Sequence, residues 1–319
     1  MKALQFSRTG DLAALTLVEV PTPVPGADEV LVQVKAAGLN PSDVKNVLGR
    51  FPYTTLPRIP GRDFSGVIVE GPAALVGQEV WGTGQELGFY GDGSHGDFLR
   101  LPVAGVALKP RTLSFVQAAS LGVPYTTAWD ALQRSDVGAD TCLLVIGANG
   151  AVGSAAIALA KVLGARVLAA VRRPDQAQVL REQGIEVIVL GKPEDLAAQV
   201  SAVFSDGAEV IFDTTGHWLP ATVAALRIFG RVAFIAAPLD GHVHLPALAL
   251  YRKGGTLIGV NSLLYSCGEC ARMLDQFGQY FDQGLLPVPR GLQEARLADG
   301  LSSYAEVNAG TSAKVVLIP

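Results

Sequence analysis

The chain has 319 residues, more than one hydrophobic core usually holds, so two domains are expected. Its formal net charge is −4 and its basic residues are dispersed apart from one Arg-Arg pair, which argues against nucleic acid or an anionic membrane as partner. Apolar residues make up 49% of the chain, but Gly, Pro or a charge breaks every apolar run well before the ~18 residues of a membrane span, and no signal-peptide core follows Met1. A cytoplasmic protein is expected, and an odd number of cysteines, three, fits a reducing compartment.

Short alternating strands are predicted at residues 15–20, 29–36, 65–70, 79–83 and 96–101, separated by turn-forming stretches such as Pro21-Thr22-Pro23-Val24-Pro25-Gly26. That pattern predicts a mainly β domain. From residue 114 to 132 it turns helical, with Ser114 as N-cap and Gln117 three positions on, as in a capping box.

The apolar run Leu143-Leu144-Val145-Ile146 then meets Gly147-Ala148-Asn149-Gly150-Ala151-Val152-Gly153, and an Ala-rich helix opens directly behind it. Strand, tight turn and helix N-terminus in this order suit a pyrophosphate, because missing Cβ atoms admit the backbone while free N–H groups and the helix dipole face the anion. Gly147, Asn149, Gly150, Ala151, Val152 and Gly153 are therefore the candidate cofactor-binding residues. As a bare pattern the three glycines also fit an ordinary turn. The strand predicted at 165–171 completes a βαβ unit, and apolar runs at 186–190, 208–213, 231–237 and 256–260 extend it into a doubly wound parallel sheet.

The second strand of that unit ends Val171-Arg172-Arg173-Pro174, without the carboxylate that usually binds the ribose of NAD. Two guanidiniums can hold a phosphate instead, so NADP(H) is expected, with Arg172 and Arg173 as its readers. A solvated arginine pair, one member neutralised by Asp175, is the open alternative. The about 60 residues beyond position 260 are too few for another domain. They are expected to return to the first one, giving a catalytic domain of residues 1–121 and 261–319 and an inserted nucleotide domain of 122–260, with a cleft between.

Cys267-Gly268-Glu269-Cys270 has metal-ligand spacing, but only Cys142 could join it, so chance spacing on a helix is expected. His242 and His244 read as surface or structural residues. No metal site is expected.

The chain resembles the medium-chain dehydrogenase/reductase superfamily, and within it the zinc-free quinone oxidoreductase branch. The resemblance is carried by Ala36-Ala37-Gly38-Leu39-Asn40-Pro41-Ser42-Asp43, Pro60-Gly61-Arg62-Asp63-Phe64-Ser65-Gly66, Thr127-Ala128-Trp129, the glycine turn, Asp213-Thr214-Thr215-Gly216 and Ala313-Lys314-Val315-Val316-Leu317. It implies an α/β chain in which a Rossmann sheet is inserted in a mainly β, GroES-like catalytic domain. Zinc-dependent members place ligands in three of these motifs, and those positions are here Asn40, Arg62-Asp63 and Val123, with no thiolate or imidazole among them. The loop between Gly82 and Leu101, where a structural zinc would bind, has no cysteine. Hydride transfer from NADPH to a quinone or an α,β-unsaturated carbonyl, driven by positioning and hydrogen bonds, is the implied activity. A zinc-free ketone or aldehyde reductase or alcohol dehydrogenase, and a weakly catalytic NADPH-binding sensor or structural protein, stay open.

The resemblance places Asn40 and Asp43 where substrate or nicotinamide is oriented, although turn formation and helix capping explain the same residues. In Gly49-Arg50-Phe51-Pro52-Tyr53 a Phe stands where the family usually has Tyr, leaving Tyr53 as the candidate replacement proton donor. Arg62 either polarises a substrate oxygen or pairs with Asp43 or Asp63. Tyr125 and Thr127 fall where relatives touch nicotinamide and substrate, and Asn261 and Lys314 where they touch the cofactor. Phe51, Tyr53, Phe89, Tyr90 and Tyr265 read either as an aromatic wall of the cleft or as core. The apolar stretch 256–260, uninterrupted by Pro or charge, predicts an edge strand that pairs across a two-fold axis, and hence a homodimer.

Overall fold

The alternating stretch that opens at Glu29 becomes a ten-residue strand at the heart of one sheet, while the apolar runs from residue 142 onward line up in parallel in another. The computed structural model describes residues 1–311 and 313–319. They form two units, Met1–Thr126 with Ser262–Pro319, and Thr127–Asn261.

The first unit runs β1 (Lys2–Phe6), β2 (Leu15–Glu19), β3 (Glu29–Gly38), α1 (Pro41–Val47), β4 (Asp63–Glu70), β5 (Glu79–Gly82), β6 (Phe98–Pro102), β7 (Ala107–Leu108) and α2 (Phe115–Ala119). Helix α3 (Gly122–Arg134) leads into the second unit, which alternates β8 (Cys142–Ile146), α4 (Ala151–Val162), β9 (Arg166–Val171), α5 (Pro174–Glu182), β10 (Glu186–Val189), α6 (Leu196–Ser201), β11 (Ala208–Asp213), α7 (Leu219–Ala225), β12 (Leu226–Phe234), α8 (Ala247–Arg252) and β13 (Thr256–Gly259). The chain returns to the first unit with α9 (Cys267–Asp282), β14 (Gln293–Arg296), α10 (Gly300–Ala309) and β15 (Val315–Ile318).

In the first unit the sheet order is β14-β15-β3-β4-β5-β7, with β6 also paired to β3 and β1–β2 forming a separate ribbon. Alternate residues Val30, Val32 and Val34 of β3 pack with Phe64, Ile68, Leu99 and Leu101. A second cluster joins Leu39, Val44, Val47, Tyr304, Val315 and Leu317 beneath α1 and α10. Register fixes the site: Gly38 at the end of β3 faces Asp63 on one side and Val316 on the other, so Asn40, Asp63 and Lys314 converge at one sheet end.

The second unit is a parallel sheet ordered β10-β9-β8-β11-β12-β13, buried on one face through Leu144, Ile146, Leu168, Ile211 and Val232 and on the other through Leu143, Val145, Ala169, Phe212 and Ala233. The winding reverses between β8 and β11, and the carboxyl ends of strands at such a switch point are where this fold binds ligands.

Where the structure departs from the sequence reading, local chemistry explains it. The expected helix over 114–132 is two: the capping box at Ser114 and Gln117 starts α2, which stops at Ser120 before α3 begins at Gly122. Strand β12 starts five residues earlier than the apolar run suggested, because its register with β11 slips between Ala208 and Val210, where Phe229 takes a positive φ of 59°. Among the described residues no helix is long and apolar enough to cross a membrane.

Candidate active site

Strand β8 ends at Ile146, and Gly147 turns the chain with a φ of 80°. A Cβ there would stand 2.3 Å from the Thr214 hydroxyl, and one at Gly153 would stand 2.3 Å from the Gly147 carbonyl. Both glycines are thus required by close backbone approach. Helix α4 has Gly150 as N-cap with no side-chain cap, so the N–H groups of Ala151, Val152 and Gly153 have no intrahelical acceptor and are available to an anion. The neighbouring loop after β11 is pinned to this turn: Thr214 donates through both its N–H (3.1 Å) and its hydroxyl (2.8 Å) to the Ile146 carbonyl. Asp213 holds the same loop by accepting from the N–H groups of Thr215, Gly216 and Trp218. These two residues support the cradle, and sequence reading names them only as part of a motif that carries the resemblance, with no role at the site.

At the end of β9, Arg172 is exposed and makes no hydrogen bond or ion pair among the described residues, whereas Arg173 pairs with Asp175 at 3.2 Å. One guanidinium of the two is therefore already partnered. The Thr127 hydroxyl, in α3, is buried without a hydrogen-bond partner, a state a bound ligand commonly explains. Asn261 lies exposed just past β13.

In the first unit the residues at the would-be zinc positions bond to the protein itself. The Asp63 carboxylate, fully buried, accepts from the Val123 N–H at 2.8 Å and from Asn40 Nδ2 at 2.9 Å. Lys314 Nζ donates to Asn40 Oδ1 at 2.5 Å and lies 3.9 Å from Asp63. The Asn40 backbone N–H in turn donates to Asp43 at 2.8 Å, capping α1. Burial lifts the Asp43 carboxyl to about 7, opposed by that N–H, with Asp63 adding to the rise and Arg62 and Lys314 resisting it. Burial also pulls Lys314 below the usual lysine range, against the pull of Asp63 and Asp43.

Arg62 departs from the ion-pair reading of that residue. Its guanidinium is 1% exposed and donates to the Gly84 carbonyl and to the hydroxyl and carbonyl of Ser262, each at 3.2 Å. Three of its five N–H groups are used in this way, and among the described residues it makes no ion pair with Asp43 or Asp63; Lys314 is the cation beside Asp63. Next to this cluster His95 is buried, with Tyr304 Oη 2.8 Å from Nδ1, and burial drops its imidazole to about 4. Phe51, Tyr53, Phe89 and Tyr90 do gather, with Phe51 and Phe89 edge to face at 5.1 Å and Tyr53 stacked on Tyr90 at 5.6 Å. Burial raises the Tyr53 hydroxyl above its ordinary range, so it stays protonated at neutral pH.

No group of three or more His, Cys, Asp or Glu among the described residues is arranged to hold a metal. Cys267 and Cys270 are buried free thiols on α9, and burial pushes Cys270 up to about 12.

Residues 26–111 match the alcohol dehydrogenase GroES-like domain, and residues 151–277 match the zinc-binding dehydrogenase family. The chain is 36% identical over 326 residues to a zinc-type alcohol dehydrogenase-like protein of Schizosaccharomyces pombe, covering 99% of this chain and 97% of that one. It is 31% identical over 334 residues to a chloroplastic NADPH-dependent alkenal/one oxidoreductase of Arabidopsis thaliana, covering 100% of this chain and 80% of that one. A quinone oxidoreductase structure from Pseudomonas syringae pv. Tomato matches at a TM-score of 0.86 and 27% identity, covering 100% of this chain and 99% of that one. The chain belongs to the medium-chain dehydrogenase/reductase superfamily. Within it, it falls in the quinone oxidoreductase-like branch, and it is an oxidoreductase of a family that binds a nicotinamide cofactor.

Proposed function

We propose that the chain reduces a quinone or an α,β-unsaturated carbonyl at the expense of NADPH and without zinc. Zinc independence rests on the donor set at the three would-be ligand positions. Asn40 is bonded to Asp63 and Lys314, Arg62 to Gly84 and Ser262, and Val123 offers only a backbone N–H that Asp63 already accepts. Neither an amide nor a guanidinium nor a valine supplies the thiolate or imidazole that a catalytic zinc takes.

The cradle fits a dinucleotide by the close approaches at Gly147 and Gly153 and the uncapped start of α4. Gly147, Asn149, Gly150, Ala151, Val152 and Gly153 would hold the pyrophosphate, Arg172 and Arg173 the 2′-phosphate of NADPH, and Thr127 and Asn261 the nicotinamide end. The bound cofactor supplies the hydride. Asn40 and Asp43 order the reacting side of the first unit, and the protonated Tyr53 hydroxyl is the donor assigned to an enone substrate, while a quinone takes its proton from solvent. The similarity to the NADPH-dependent alkenal/one oxidoreductase of Arabidopsis supports both the cofactor and the enone class.

The same reading assigns catalysis to residues 1–121 and 261–319 and cofactor binding to 122–260. It places the protein in the cytoplasm, where its three free thiols stay reduced. It also makes it a homodimer: β13 is an edge of its sheet, and light scattering should give twice the chain mass. Oxidation of NADPH and of NADH, followed against quinones, enones, enoyl thioesters and aldehydes, tests the whole. Turnover confined to NADPH with quinones or enones is expected, and a preference for NADH or for simple aldehydes contradicts it.

A further inference from the structure

Asp63 has no role in the mechanism just given, yet its buried carboxylate is held from two directions, by the Val123 N–H and by Asn40 Nδ2. Its carboxylate is enclosed by two close approaches: a Cβ at Gly122 would stand 2.5 Å from Oδ1, and one at Gly38 would stand 3.1 Å from the Asp63 Cβ. The contacts around it are directional. Asn40 must turn its Nδ2 donor to Asp63 and its Oδ1 acceptor to Lys314, so carboxylate, amide and ammonium follow one another in a single order. An ammonium carries three donors and Asn40 takes one, and the Lys314 side chain keeps 15% of its surface accessible.

We propose that Asp63 is a positioning residue that, through Asn40 and through its own charge, fixes the place and the charge of the Lys314 ammonium, which meets an anionic oxygen of the reacting pair. The oxygen belongs either to the cofactor or to the substrate carbonyl as negative charge develops on it, and kinetics separate the two. This inference rests on the reductase reading for its kinetic arm but not for its titration arm.

Three titratable groups bear on Lys314, namely Asp63 on β4, Asp43 on α1 and His95 ahead of β6, while Arg62 ahead of β4 and Tyr304 on α10 face Asp43. His95 stays neutral above pH 4 and burial holds the Tyr304 hydroxyl well above its usual range, so neither changes charge near neutrality. Asp43 titrates near 7 and contributes a step of its own, distinct from the lysine's. Asp63 and Asp43 hold the ammonium against burial, so removing the Asp63 charge lets Lys314 lose its proton at lower pH.

The test measures kcat/KM against pH, and the ammonium titration by NMR of 13C-methylated lysines, for the wild type, Asp63→Asn, Lys314→Arg and the double variant. In Asp63→Asn the alkaline loss of kcat/KM and the Lys314 titration should both move toward neutrality by about one pH unit, a tenfold change in the proton equilibrium. Lys314→Arg should abolish the alkaline limb, because guanidinium does not deprotonate, and should rescue the Asp63→Asn rate at high pH. If Asp63→Asn does not fold, Asn40→Ala breaks the same sequence one link later and should shift the titration in the same direction. Lys314→Met raising KM for NADPH at unchanged kcat assigns the oxygen to the cofactor, and a lowered kcat at unchanged KM for NADPH assigns it to the substrate. A Lys314 titration that Asp63→Asn leaves in place overturns the inference, whether or not the wild type reduces any quinone or enone. A wild type inactive on every acceptor, with the titration shifted as expected, overturns the reductase reading alone.

Discussion

The glycine cradle after β8 and the polar cluster around Asp63 are built by opposite means. The cradle is made of contiguous backbone, and its requirements are missing atoms: no Cβ at Gly147 or Gly153, no side-chain cap on α4. The cluster is made of side-chain functional groups drawn together from separate strands and helices, with Lys314 lying 274 positions from Asn40. A site of the first kind is damaged by addition, and one of the second kind by subtraction. That difference can be broken or sharpened by substitution.

The largest effect is expected from Lys314→Met, which leaves the Asp63 carboxylate buried beside Asn40 without its cation. Breaking a buried ion pair from one side costs about 3 to 5 kcal/mol. The low end applies because Lys314 is partly accessible. Urea unfolding should show this loss, and Lys314→Arg should recover most of it.

Asp43→Asn should act in the other direction, and only above acid pH. The carboxyl is raised from 3.8 to about 7 on folding, so below about 3.8 both states hold the proton and the charge has no effect on stability. Between there and pH 7 only the folded state keeps it, so stability falls as pH rises, and above 7 the full cost is present. That cost is on the order of a few kcal/mol, at about 1.4 kcal/mol per unit. The variant retains an acceptor for the Asn40 N–H, so its melting temperature should match wild type near pH 4, exceed it increasingly up to pH 7, and hold a constant gain beyond. A gain independent of pH would place the effect elsewhere than in this ionisation.

In the cradle, Gly153→Ala adds one methyl 2.3 Å from the Gly147 carbonyl and should cost about 1 to 3 kcal/mol of stability, as overpacking does. Cofactor affinity should fall with it, since the turn must open to admit the methyl. Arg172→Ala, on the exposed rim, should leave stability unchanged and weaken NADPH by about tenfold to a hundredfold, the worth of one hydrogen bond to a charged group, while scarcely touching NADH. Arg173→Ala should weaken NADPH less, because Asp175 already engages that guanidinium.

The same contrast explains what sequence reading can reach. Gly147 to Gly153, the strands flanking them and the arginines ending β9 are legible because each is a pattern in neighbouring residues with a local physical cause. The role of Asp63 is not, because nothing local tells Asp63 that Asn40, Val123 and Lys314 will surround it; that follows from the pairing of β3 with β4 and β15. Arg62 was open between substrate and ion pair for the same reason, since its acceptors, Gly84 and Ser262, lie far along the chain. The Asp213-Thr214-Thr215-Gly216 motif is visible in sequence, but its work of tying the β11 loop to Ile146 is visible only once those strands are adjacent.

The zinc-free claim is tested most directly by turnover of a quinone with NADPH after exhaustive dialysis against a chelator, with metal content measured on the same sample. Undiminished kcat with far less than one zinc per chain is the result predicted by the bonds that Asn40, Arg62 and Val123 already make. Stoichiometric zinc whose removal and return abolish and restore activity would contradict it.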